Sequence, residues 1–223
     1  MVKKYIAVFL IGVILGGFVY RHRFDLIQIT LGGDAYKFQT LKKSEGKKYD
    51  RISISEKNNE YFLSNDNTKG GYTLTDKNDH FKIRWNFKAK NESRTFTLKY
   101  RIHNLVERYN DVATMYYKFI GADWKKNQKN VSITLLPPEN ISQYDLQAWL
   151  HGPLWGEYRI NSDGSIKAWC ENLPRKTFFE IRSIYPEELF KGAPVLNKFV
   201  KSIIVEEERR GVEDANKRRE LAI

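Results

Sequence analysis

Residues 80–104, HFKIRWNFKAKNESRTFTLKYRIHN, decide the fold. Phe81, Ile83, Trp85 and Phe87 occupy every second position, with Lys82, Arg84 and Asn86 between them. Period two means a strand with one dry face, because successive side chains leave opposite sides of the pleated backbone. The alternation returns after the turn-prone Lys90-Asn91-Glu92-Ser93, where Phe96, Leu98, Tyr100 and Ile102 share a face. Together the two runs read as an antiparallel hairpin. A hairpin with one apolar face is marginal in water, so a second sheet has to cover it.

Working outward, short β-like runs continue from Phe24 to Thr75, broken at Gly32-Gly33, Glu45-Gly46 and Lys69-Gly70-Gly71. That spacing favours a sandwich or barrel over βαβ units. Downstream, Ala113, Met115, Tyr117 and Phe119 alternate with polar neighbours, and the run reads either as a strand or as a helix capped by Asn110 or Asp111. Val131, Ile133 and Leu135 form a strand that ends at Pro137-Pro138, since proline has no N–H for a ladder. Asp163-Gly164 between two alternating runs is a hairpin signal, and Lys176–Ile184 is a further strand. From Lys198 to Leu221 the pattern turns helical, with acids four residues ahead of bases at Glu206/Arg210 and Glu213/Lys217. Such a helix is a solvated, pair-laced stalk or docking element.

The expected architecture is all-β, an immunoglobulin-like antiparallel β-sandwich over residues 24–190. A hydrophobic helix in residues 1–23 precedes it and a charged helix in residues 191–223 follows. At 223 residues, 41% hydrophobic and 14% aromatic, the chain has enough apolar material for one sizeable core. The net charge of +11 is scattered over loops and the polar faces of strands, with no helix or aromatic platform concentrating it. That distribution argues for a solvated surface and against nucleic acid as partner.

Lys3 and Lys4 precede an uncharged run from Tyr5 to Tyr20. This is a positively charged segment followed by a hydrophobic one, the pattern of an anchor or a signal peptide. As a helix it reaches about 24 Å, short of the ~30 Å hydrocarbon core of a bilayer. No small-residue cleavage site precedes Arg21, which favours an uncleaved membrane anchor through residues 5–20. Arg21 and Arg23 place positive charge on the second flank too, so orientation is weakly specified.

No motif for catalysis stands out. His22, His80, His103 and His151 are isolated, and Cys170 is the only cysteine, so the pattern gives no metal site, no disulfide and no cofactor. Lys69-Gly70-Gly71 lacks the Lys-Ser/Thr of a phosphate loop. Asp111 and Asp123 are candidates for a paired-acid hydrolase or, more simply, for turn capping. Asn130-Val131-Ser132 matches a glycosylation sequon. The candidate ligand-binding residues are Trp149, Trp155, Tyr158 and Trp169 around the Asp163-Gly164 turn. Exposed together they would stack on sugars or on a partner; otherwise they belong to the core.

The order Phe96-x-Leu98-x-Tyr100, Tyr109-Asn110-Asp111, Phe119-Ile120-Gly121-x-Asp123-Trp124, Asn130-Val131, Leu136-Pro137, Phe179-x-Ile181-Arg182 and Tyr185-Pro186 resembles the extracytoplasmic domain of a family of predicted bacterial membrane proteins. That family is catalogued as domain of unknown function 2207. The resemblance runs over roughly residues 60–220 and implies a β-sandwich outside the membrane, followed by a helix leading into a membrane span; it implies no activity. This sequence stops at Ile223, before such a span. The functional expectation is a membrane-anchored extracytoplasmic module with a protein-interaction or assembly role, its C-terminal helix meeting the partner. A carbohydrate-binding surface is the alternative, and a hydrolase a third reading.

Overall fold

The computed structural model describes residues 9–15, 22–31, 36–42, 48–66, 68–78, 80–87, 94–123 and 127–221. Three sheets form two layers. One layer is an eight-stranded sheet in the order β14 (Glu157–Ile160), β15 (Ile166–Leu173), β12 (Gln128–Leu136), β1 (Phe9–Leu15), β2 (His22–Leu31), β9 (Arg94–His103), β4 (Lys48–Glu56) and β5 (Asn59–Glu60). The facing layer is split. A four-stranded sheet runs β3 (Tyr36–Lys42), β8 (His80–Asn86), β7 (Gly71–Asp76), β6 (Phe62–Leu63). A five-stranded sheet runs β13 (Gln147–His151), β16 (Phe179–Tyr185), β11 (Ala113–Ile120), β10 (Val106–Tyr109), β17 (Val195–Leu196). One helix, α1 (Lys201–Glu220), follows.

All three sheets contribute to a single core: Ile83 and Trp85 from β8, Leu98 from β9, Ile133 from β12 and Met115 from β11 are each 0–1% exposed. The all-β sandwich expected from the alternation is the fold, and β11 resolves the strand-or-helix ambiguity in favour of a strand. Pairing is mixed, since β1 with β12, β10 with β17 and β6 with β7 run parallel.

The central hairpin does not form. β8 bonds to β3 and β7, whereas β9 bonds to β2 and β4 in the other layer. Their dry faces meet across the interior instead, with ring centroids 5.9 Å apart for Trp85–Phe96 and 4.7 Å for Phe87–Phe96. Two one-sided strands cover more apolar surface by facing each other than by lying edge to edge, which leaves both faces wanting a lid. The intervening residues 88–93 lie outside the described ones.

The N-terminal expectation is corrected as well. Phe9–Leu15, the middle of the hydrophobic run, is a strand between β12 and β2. An apolar run of this length suits a strand inside a sheet as well as a helix, and its β-branched Ile11, Val13 and Ile14 favour the strand. The remainder of the Tyr5–Tyr20 run lies outside the described residues. Among the described residues no helix is long and apolar enough to cross a membrane.

Candidate functional site

The four aromatic residues singled out in the sequence do not share one face. Trp149, on β13, is partly buried in a small cluster with Val112, Ile184 and Ile204, so it floors the seat of α1. Trp155 lies in the connection between β13 and β14, 57% exposed, and its indole N–H donates to the Asn172 carbonyl at 3.2 Å. Tyr158 stands opposite Ala168, while Trp169 stands opposite Glu157 on one side and Ser132 on the other. Because side chains alternate, Tyr158 and Trp169 lie on opposite faces of the β14–β15 ribbon. Of the four, Trp169 lines a groove on the outer surface of the large sheet, together with Asn130, Ser132, Arg159, Lys167 and Glu171.

A cluster of charges lies elsewhere. Helix α1 packs on the five-stranded sheet through Ile204 and Glu208, one turn apart and both buried. Glu208 accepts from His151 Nε2 at 2.8 Å and from Arg182 at 3.2 Å, and Glu207 accepts from Arg182 at 2.8 Å. On the other side of the imidazole, Nδ1 lies 3.4 Å from Glu180, which also pairs with Lys118 at 3.2 Å. Strand alternation makes this possible: the register pairs Tyr116 with Arg182 and Lys118 with Glu180 across β11 and β16, and Glu180 with His151 across β16 and β13.

The hydrogen bonds to Glu180 and Glu208 raise the His151 pKa to about 9, against the opposing effect of burial. Burial pushes the Glu180 carboxyl up, but the bonds from His151, Tyr116 and Lys118 outweigh it and hold the group at about 2. Glu208 is likewise lowered, since His151 and Arg182 overcome its desolvation. His151 is therefore an imidazolium with both ring nitrogens engaged, which leaves it no lone pair to act as a general base.

Asp111 also has a settled task. Its carboxylate accepts from the backbone N–H groups of Val200 and Lys201, both at 3.0 Å, and so caps α1 from a turn some ninety residues earlier. Asp123 is exposed in the turn after β11. Cys170 is 1% exposed, and burial raises its thiol pKa. The helix is largely solvated and laced with pairs, as its composition suggests: Arg210 pairs with Glu206 at 2.7 Å, whereas Glu213 pairs with Arg209 in place of Lys217, and Arg219 donates to the Leu154 carbonyl at 3.0 and 2.9 Å. The His151 cluster was not apparent in the sequence, because its members come from β11, β13, β16 and α1. The one local hint was Glu208 four residues after Ile204, on the helix's apolar side.

Among curated proteins, none matches the chain by sequence. Among solved structures, the chain is similar to a crystal structure of an M1 zinc metallopeptidase from Deinococcus radiodurans, with a TM-score of 0.38 and 9% identity. The likeness covers 80% of this chain and 42% of that one, so the chain spans less than half of the length of that protein. The family model described as the predicted membrane protein (DUF2207) N-terminal domain matches residues 19–185. With most of its length matched, the chain belongs to this family of predicted membrane proteins of unknown function.

Proposed function

We propose that the chain is a non-catalytic extracytoplasmic module attached to the cell membrane, with its β-sandwich presenting a docked helix to a protein partner. The observation that carries this reading is a run of exposed apolar side chains along the segment that leads into that helix. Val195 and Leu196 on the edge strand β17 are 42% and 44% exposed, and Phe199 and Ile203 are 73% and 56% exposed. Large apolar side chains grouped on a surface mark interaction sites more often than chance. The engagement of His151 and Asp111 in holding the helix supports a binding role over a hydrolytic one.

Photo-crosslinking tests this run. A benzophenone amino acid at Phe199 or Ile203 of the full chain in its native membrane is expected to give a discrete adduct, and the same probe at the well-exposed Tyr144 none. Absence of adducts at both of the apolar positions would sink the protein-partner reading. Sidedness is tested in a Cys170→Ala background with a surface thiol at Lys191→Cys: an impermeant maleimide should label it in intact cells, and labelling only after lysis refutes the outward orientation. A second reading, a carbohydrate-binding surface, is favoured by Trp169, which lines a groove together with charged and polar side chains.

A further inference from the structure

We propose that the outer-face groove around Trp169 binds an acidic saccharide, a sugar chain carrying carboxylate groups; this rests on the carbohydrate reading and specifies its ligand. The groove is open and shallow, with a volume of about 330 Å³, at the small end of ligand sites. Its floor is built in rows by the strand register. Arg159 on β14 stands directly opposite Lys167 on β15, and the next row holds Glu157, Trp169 and Ser132. Beyond these lie Glu171 and Asn130.

Like charges directly opposite on one face destabilise a sheet. Arg159 and Lys167 keep that arrangement without forming an ion pair to any described residue, although Glu157 and Glu171 share the face, so an anion seated between the two cations would offset their repulsion. The planar guanidinium fork matches a carboxylate in two-point geometry, and the lysine adds a point charge. One row along, the half-buried Trp169 ring offers an apolar platform of the kind against which the C–H face of a pyranose packs. Sugar hydroxyls both donate and accept, and the neighbouring groups are of both kinds: the Glu171 carboxylate accepts, the Asn130 amide does both, and the Ser132 hydroxyl is buried with no partner among the described residues. Asn130 takes a left-handed backbone, φ 53°, inside β12. These residues sit on a hydrogen-bonded sheet, so little ordering is left to do on binding.

The test is titration of the full chain with tetragalacturonate and, in parallel, with maltotetraose, followed by tryptophan fluorescence and calorimetry at low ionic strength. Saturable quenching by the acidic oligomer is expected, with the neutral one at least about ten-fold weaker. The double variant Arg159→Gln/Lys167→Gln should weaken the acidic oligomer about ten-fold or more, and Trp169→Ala should remove the quenching, each with an unchanged melting temperature. Equal affinity for both oligomers, or a double variant that binds as well as the native chain, overturns the acidic specificity while leaving the carbohydrate reading in place. Neither heat nor quenching with either oligomer overturns both.

Discussion

His151 holds a carboxylate on each ring nitrogen, and that arrangement ties the helix to the sheet in a pH-dependent way. Its folded-state pKa of about 9 lies above the ordinary 6.5, so the stabilisation is fully present below about 6.5 and is lost as the pH rises through 9. Glu180, held at about 2 against an ordinary 4.5, gives the opposite limb: its contribution is present above 4.5 and is lost as the pH falls through 2. A His151→Gln variant should be less stable than the native chain by about 2 kcal/mol at pH 6, after discounting for partial exposure, with the gap closing between pH 7 and 10. Urea denaturation across that range checks it; a gap independent of pH would contradict the pairing. Asp111→Ala should cost about 1 kcal/mol through loss of the cap, and hydrogen exchange should report faster opening at residues 201–204 while the strands keep their protection.

At the level of elements, the β14–β15 hairpin depends on one glycine. Gly164 has φ +79°, and a Cβ added there would meet Ile141 Cγ1 at 2.6 Å and the Ile141 carbonyl at 2.9 Å. Asp163 completes the turn by accepting from the Ser165 N–H at 2.9 Å and its hydroxyl at 2.6 Å. Gly164→Ala combines the wrong backbone region with a backbone clash, so a loss of about 2 kcal/mol or more is expected, visible as a melting temperature lowered by several degrees. The same variant should disturb the Trp169 groove, because the turn sets the register that places Arg159 opposite Lys167. Helix α1 shows the converse case. Its own sequence gives a charged helix, but its seat is made by groups from other elements: Asp111 at its start, His151 and Arg182 at Glu208, and the Leu154 carbonyl at Arg219.

For the whole molecule, Trp85 is the point where the layers meet. It is 0% exposed and packs edge-on to Phe96 of the opposite sheet, so Trp85→Ala should cost about 4 kcal/mol, a large part of a typical domain's stability. Soluble yield and a denaturation curve decide it; a loss below about 1 kcal/mol would mean the two layers do not depend on that contact. The strands, their dry faces, the Asp-Gly turn and the C-terminal helix were legible in the sequence, since each follows from periodicity or from local turn and helix chemistry. What covers what was not legible. The alternation at Phe81–Phe87 and Phe96–Ile102 demands a lid for each strand but does not say that each is the other's, and Phe9–Leu15, which reads from its hydropathy as part of a hydrophobic helix, is a strand flanked by β2 and β12. The same limit applied to the sites. Tyr158 and Trp169 look like neighbours in sequence and are parted by the pleat, whereas His151, Glu180, Arg182 and Glu208 are joined only because three chain segments converge. By itself the sequence determined local geometry and which side of each strand is apolar, because these depend on residues a few positions apart. Tertiary structure alone decided strand partners, the helix seat and the groove, because those depend on long-range closures that no local period encodes.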